Sequence, residues 1–143
     1  MTNEHEVRSA SEQFYTAAKA VLCGDPAPML AVWSHREDAS YCDTRGEILM
    51  GWPALEQYWR RAAAINAAAP GQVTATAQIT HEVVNGNLAY VVALEEVHQE
   101  GDSSVMLARA TLIYRREEDG LGGWRLLHRH TDAAPKSREW TPS

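Results

Sequence analysis

The strongest constraint on the fold is a change of pattern near the middle of the chain. Before Gly71 the apolar residues recur three or four apart, and after it the chain consists of extended runs. These four runs are rich in Val, Thr, Ile, Leu and Tyr, and turn sequences separate them. Because strands joined in succession usually pair with their neighbours, the second half predicts an antiparallel meander. The runs are residues 72–84, 88–99, 104–116 and 124–132, and the turns are 85–87, 101–102 and 119–123.

The first half predicts three helices and a small hairpin. An apolar face that runs from Val7 to Val21 indicates a first helix, which ends at Gly24. Asp25-Pro26 resembles an N-cap followed by proline in the first turn, and opens a short second helix. Pro53 begins a third helix, which breaks before Gly71. Between the second and third helices lies a predicted hairpin, formed by residues 39–43, Thr44-Arg45-Gly46 and residues 47–50.

The order of these elements predicts the fold class. Helices in the first half and strands in the second are typical of an α+β domain with helices on one face of a curved sheet. A length of 143 residues suits one domain, expected to span residues 1–143. Its core is expected to run from about residue 7 to residue 132. The polar C-terminal tail, residues 133–143, is expected to fray.

Charge and hydropathy argue against two classes of partner. Thirteen Lys and Arg against nineteen Asp and Glu leave a net charge of −6, which opposes a broad phosphate-binding surface. The sequence has no run of about twenty apolar residues that could cross a bilayer, and its first residues are acidic and polar. We therefore expect a cytoplasmic protein with neither nucleic-acid nor membrane partners.

The cysteines and histidines do not specify a metal by their spacing. Cys23 and Cys42 lie far apart without CxxC or CxxH spacing, so we expect free and mostly buried thiols. His128 and His130, two apart on a predicted strand, place two imidazoles on one face. The spacing selects no third ligand, and we predict no metal and no cofactor. The candidates for that third ligand are Asp43, Glu95 and His98.

Several short segments carry a resemblance to a known family. They are the Gly24-Asp25 elbow, Trp33 at the end of the second helix, Glu37-Asp38-Ala39 before a strand, Gly51-Trp52 before the third helix, and the closing Trp124-x-x-x-His128-x-His130. In this order they resemble the nuclear transport factor 2-like superfamily, and the chain is most similar to its SnoaL-like branch from about Val7 to Asp132. The closing motif also resembles the end of the association domain of calcium/calmodulin-dependent kinase II.

The resemblance implies a fold, a partner and a range of activities. The fold is a cone-shaped curved antiparallel sheet, capped by three helices, that encloses one pocket. The implied partners are a small-molecule ligand and a second copy of the chain, since the family commonly forms a homodimer through the sheet. The family includes steroid isomerases, polyketide cyclases, dehydratases and members without activity, and the fold alone does not choose among them.

The resemblance also places a candidate catalytic base. The carboxylate base of the steroid-isomerase branch corresponds to Asp43, and Tyr41 would share its face because strand residues two apart point the same way. The tyrosine and the acid of that branch's oxyanion hole fall on Ala17 and near Ala110. Steroid-isomerase chemistry in its plain form is therefore not expected.

The late strands offer a second set of polar side chains. If Arg109 and Thr111 share the inward face of one strand, and His128 and His130 that of the last, they form a buried cluster beside Glu95. Such a cluster would bind a carboxylate or a polarised oxygen, with His128 and His130 as catalytic donors or acceptors. The alternative is a structural ion pair between Glu95 and Arg109.

Two hypotheses for function follow. In the first, a pocket binds a small, partly apolar molecule with a carbonyl or carboxylate group, and Trp33 and Trp59 either line that pocket or belong to the core. The enzymatic version is proton transfer next to a carbonyl, of the isomerase, cyclase or dehydratase type, with Asp43 as base. In the second, the chain is a non-catalytic dimerisation module with a vestigial pocket. Outward apolar residues on the last two strands would favour the module.

Overall fold

The computed structural model describes residues 2–118 and 123–134, and the elements within them follow the predicted order. The helices are α1 (Asn3–Leu22), α2 (Ala27–Val32) and α3 (Trp52–Ala67). The strands are β1 (Ser40–Cys42), β2 (Ile48–Met50), β3 (Val73–Asn85), β4 (Leu88–Gln99), β5 (Val105–Arg116) and β6 (Trp124–Ala133). Most of the predicted turn at 119–123 and residues 135–143 of the predicted tail lie outside the described residues.

Local signals at its ends account for helix α1. The Thr2 side chain accepts a hydrogen bond from the backbone N–H of His5 and caps the N-terminus. Gly24 follows the C-terminus with a φ of +97°, and a Cβ there would lie 2.8 Å from the Cβ of Ala67 in α3. Glycine therefore permits both the turn and the close approach of α1 to α3. None of the described helices combines the length and apolar character that a membrane crossing requires.

The strands form one six-stranded sheet in the order β2-β1-β6-β5-β4-β3. Neighbouring strands in the sheet are antiparallel as predicted, except that β1 runs parallel to β6. An all-antiparallel sheet was the expectation, and this pair corrects it. The pairing places Ser40 beside His128 and Cys42 beside His130, so the hairpin of the first half attaches to the last strand. The sheet is curved and open, and the mixed α+β class is confirmed.

The inner face of the sheet and the helices enclose the core. Residues that are paired directly across neighbouring strands lie on the same face of the sheet. The buried residues of β4, β5 and β6 are paired with one another in this way, so they form one inner face. Alanines occupy several of these positions and leave room for the larger side chains of the helices and β1. Large core side chains include Phe14, Met29, Trp33, Leu55, Leu112, Tyr114 and Leu126.

The expected inward face of the late strands is wrong for all four residues placed there. Arg109 and Thr111 alternate with the buried Ala108, Ala110 and Leu112, and therefore lie on the outer face of β5. His128 and His130 pair with Ile113 and Thr111 and share that outer face. Arg109 is paired with Asp132 there, at 3.1 Å, with both side chains more than half exposed.

A β-bulge explains why the histidines point outward. Ile113 pairs with His128, whereas the next residue of β5, Tyr114, pairs with Leu126. Leu127 is therefore an extra residue in β6, and such a residue reverses the alternation beyond it. Without the bulge, His128 and His130 would share the inner face of Leu126. With it, Arg129 points inward instead.

The two cysteines are free thiols in the described part of the chain, but their burial differs from the expectation. Cys42 is half-buried on the outer face of β1, opposite to Asp43 as the alternation predicts. Cys23 is exposed because it is the C-cap residue of α1, just beyond the last buried turn. The prediction of mostly buried thiols is wrong for Cys23.

A candidate site lined by tyrosines

A cavity of about 200 Å³ lies between α1, α3 and the inner face of the sheet. Its walls combine aromatic and aliphatic side chains with a smaller number of polar groups, a composition typical of small-molecule sites. The apolar part comes from Phe14, Ala18, Val21, Leu22, Trp59, Ala62 and Ala75. The polar part comes from Tyr15, Tyr41, Arg45, Tyr58, Asn66, Thr76, Glu95 and Arg129.

A buried ion pair occupies the sheet side of the cavity. Arg129 donates to both carboxylate oxygens of Glu95 at 2.6 Å, and only 8% and 10% of the two side chains are exposed. Arg129 also donates to the hydroxyl oxygen of Tyr41 at 2.6 Å. Burial alone would lower the pKa of Arg129, but its electrostatic interactions with Tyr41 and Glu95 raise it instead. The expected partner of Glu95 was Arg109; the actual partner, Arg129, is the inward residue between the two histidines.

Tyr15 extends this pair toward α1. Its hydroxyl donates to Glu95 Oε2 at 2.7 Å, and its ring packs edge-on against Phe14. Burial, followed by the nearby charge of Glu95, raises the pKa of Tyr15 well above its ordinary value. The hydroxyl of Tyr15 is therefore held in its protonated, donating form.

A second tyrosine–carboxylate pair lies where the hairpin meets α3. Tyr58 donates to Asp43 Oδ2 at 3.0 Å, while Asp43 Oδ1 accepts the backbone N–H groups of Arg45 and Glu47 at 3.0 and 2.9 Å. Asp43 thus caps the β1–β2 turn, and Tyr58 lies between it and the cavity. Burial, and then the neighbouring Tyr41 and Asp43, raise the pKa of Tyr58 well above its ordinary value.

Aromatic packing fixes the positions of these groups. The rings of Tyr41 and Trp59 stack at 5.5 Å with only 8° between their planes, and Tyr58 meets both rings edge-on. Trp33, with no exposed surface, supports Tyr41 and Trp59 from behind at centroid distances of 6.0 and 6.4 Å. This packing fixes the hydroxyl groups of Tyr41 and Tyr58 in position relative to Arg129.

Two buried donors at the cavity have no partner among the described residues. They are Nε of Arg129 and Nε1 of Trp59, and both side chains line the cavity. A buried donor without an acceptor is costly, so these two atoms are points of unfavourable free energy in the cavity wall. Nε1 of Trp33 is also unpartnered, but it lies in the core layer behind.

The sequence-predicted residues fall into three groups. Tyr41, Trp59 and Glu95 line the cavity, and Trp33 and Asp43 lie directly behind it. Arg109, Thr111, His128 and His130 lie on the opposite face of the sheet. The residues that prediction missed are Tyr15, Tyr58 and Arg129. Tyr58 is next to Trp59 in sequence, and Arg129 lies between His128 and His130, so for these two the sequence singled out the segment but not the side chain.

A separate cluster of metal-ligand types lies on the outer face. Cys42, His128 and His130 each offer one candidate ligand atom, and these three atoms lie within 4.8 Å of one another. Ser40 Oγ lies 2.7 Å from Nδ1 of His128. Burial of the ring, with His130 nearby, lowers the pKa of His128 below its usual value. The third member is Cys42, rather than Asp43, Glu95 or His98.

Solved structures with the same fold include proteins of different description. A candidate association domain of calcium/calmodulin-dependent protein kinase type II from Thiobacillus denitrificans is 22% identical with a TM-score of 0.71, covering 90% of this chain and 94% of its own. An NTF2-like protein of unknown function from Pseudomonas putida is 24% identical with a TM-score of 0.75, covering 95% and 89%. A candidate dehydratase of the NTF2-like family from Streptomyces avermitilis is 22% identical with a TM-score of 0.71, covering 92% and 96%.

Identities this low establish a common fold, and none of the curated proteins matches the chain. The family comparison is more specific. The model of the SnoaL-like domain matches residues 7–134, which include every element from most of α1 to the end of β6. The chain therefore belongs to the SnoaL-like domain family.

Proposed function

We propose that this chain binds a small, partly apolar molecule carrying a carbonyl or carboxylate oxygen. The observation that carries this proposal is the convergence of two protonated tyrosines and a buried arginine on one aromatic-walled cavity. A cavity of about 200 Å³ is smaller than the ~300–1,000 Å³ of typical drug-sized sites, so the ligand is small.

Proton transfer next to the ligand carbonyl is the enzymatic form of this proposal. A hydroxyl that stays protonated suits the stabilisation of a developing oxyanion, and Tyr15 would do so by turning its single proton from Glu95 Oε2 to the ligand oxygen. Both tyrosines are hydrogen-bonded to carboxylates, which makes Glu95 and Asp43 the candidate bases. Asp43 would act across Tyr58, whose oxygen would take the proton from the ligand carbon as its own proton passes to Asp43 Oδ2. His128, His130 and Arg109 have no part in this scheme, because the sheet separates them from the cavity.

The test is a ligand screen read by thermal unfolding. Short-chain and aromatic carboxylates and ketones are added to the full chain, and a ligand that binds the folded state raises the Tm. We expect a rise for some members of this panel, and a smaller one in Tyr58→Phe, which removes one donor. Tyr90→Phe is the matched control, because Tyr90 is an exposed tyrosine of the outer face. A panel that leaves the wild-type Tm unchanged throughout would contradict the proposal.

An assembly module is the second candidate, and the outer face of the sheet favours it. Tyr90 pairs with Ile113 on that face, and Val92, Leu94 and Leu107 add further half-buried apolar side chains. One structural neighbour is described as a kinase association domain. A second copy covering this face would give a homodimer, measurable by sedimentation equilibrium. A dimer that responds to no ligand would select the module over the binder.

A further inference from the structure

We propose that Cys42, His128 and His130 form a binding site for a divalent transition-metal ion of the zinc type on the outer face of the sheet. Their ligand atoms already lie within 4.8 Å of one another. This cluster is on the opposite face from the cavity, so it stands independently of the proposed ligand site.

Two features of the backbone bring the three side chains together. The parallel pairing of β1 with β6 sets Cys42 directly beside His130, and Ser40 beside His128. The bulge at Leu127 turns both histidines to the outer face, which is the face of Cys42. All three ligands therefore come from strands rather than loops, and strands hold a constellation of side chains with more precision.

The donor set determines which ions suit the site. One thiolate and two imidazoles are borderline-soft ligands, which favour zinc and its neighbours over magnesium or calcium. Around a tetrahedral zinc such atoms are roughly 3.3–3.6 Å apart, given bonds of about 2.0–2.3 Å. Starting from separations of up to 4.8 Å, rotation of the side chains brings the three atoms together while the strand register stays fixed.

The surroundings of the cluster also fit metal binding. Ser40 Oγ contacts Nδ1 of His128 at 2.7 Å, the kind of second hydrogen bond that orients a metal-binding imidazole. If the hydrogen bond from Ser40 remains when the metal is bound, the metal ligand on His128 is Nε2. Asp132, two residues beyond His130, is engaged by Arg109. Because Asp132 is held by Arg109, the site has three protein ligands, and the fourth position around the metal is left to water or to a small anion, as in open zinc sites.

Cobalt(II) titration of the untagged, reduced full chain tests the site. Cobalt bound by a thiolate in tetrahedral geometry shows a sulfur-to-cobalt charge-transfer band and intense visible bands, and zinc then removes them by displacement. We expect both bands in the wild type. Cys42→Ser should abolish the charge-transfer band, and His130→Ala, at an exposed position, should weaken cobalt binding at least ~10-fold.

The matched controls are Cys23→Ser, the other free thiol, and His98→Ala, a histidine outside the cluster. Both should keep the wild-type spectrum. Circular dichroism of each variant separates loss of the site from loss of the fold, and His130→Ala serves if Cys42→Ser does not fold. A wild type without the charge-transfer band, or a band that disappears with Cys23 rather than Cys42, would overturn the proposal.

Discussion

At the scale of single residues, the site depends on carboxylates that are held by protonated donors and by one buried arginine. Glu95 accepts from Arg129 and Tyr15, and Asp43 accepts from Tyr58 and two backbone N–H groups. Removing one member of such a buried pair leaves the other without its partner in a poorly solvated place. The same groups that prepare the cavity for a ligand therefore also stabilise the fold.

Glu95→Gln tests this dual role. The substitution removes the negative charge opposite Arg129 and should lower the free energy of unfolding by about 3–5 kcal/mol. Glu96→Gln is the matched control, because Glu96 is the next residue, has a half-exposed side chain and lies on the outer face. Urea denaturation compares the two variants with the wild type. Equal small losses in both would show that the ion pair contributes little.

The raised tyrosine pKa values predict a dependence of stability on alkaline pH. Burial raises the pKa of Tyr15, Tyr58 and Tyr114 in the folded chain, whereas the unfolded value stays near 10. The folded chain thus binds these protons more tightly, so their contribution is complete below pH ~10 and is lost progressively above it. Tyrosinate absorbance should show that these three ionise only with unfolding. Their ionisation in a chain that remains folded would refute this.

At the scale of elements, periodicity predicted the helices and strands well but not the faces of the late strands. The apolar face of α1 and the turns near 85–87 and 101–102 are local signals, and the structure confirms them. A single bulge at Leu127 reversed the face of β6, and the parallel partner of β1 lies about ninety residues away in sequence. Neither feature has a local signature, so Arg129 and the Cys42 cluster were not predicted, whereas Tyr41, Trp59 and Glu95 were named from the sequence and line the cavity.

At the scale of the whole molecule, the sheet presents a different chemistry on each face. The inner face and the helices enclose a cavity with charged and hydroxyl groups fixed between aromatic rings. The outer face carries apolar side chains on β4 and β5, and the cysteine–histidine cluster on β1 and β6. Substitutions on the outer face should therefore test the proposed assembly and the proposed metal site without changing the cavity on the inner face.

The crystal structure of the full chain with the carboxylate or ketone that most raises its Tm tests the central claim most directly. We predict that the ligand lies between α1, α3 and the sheet, with its oxygen within about 3.2 Å of the hydroxyl of Tyr15 or Tyr58. Density for that ligand elsewhere on the surface, with the cavity filled by the chain's own side chains, would contradict the account.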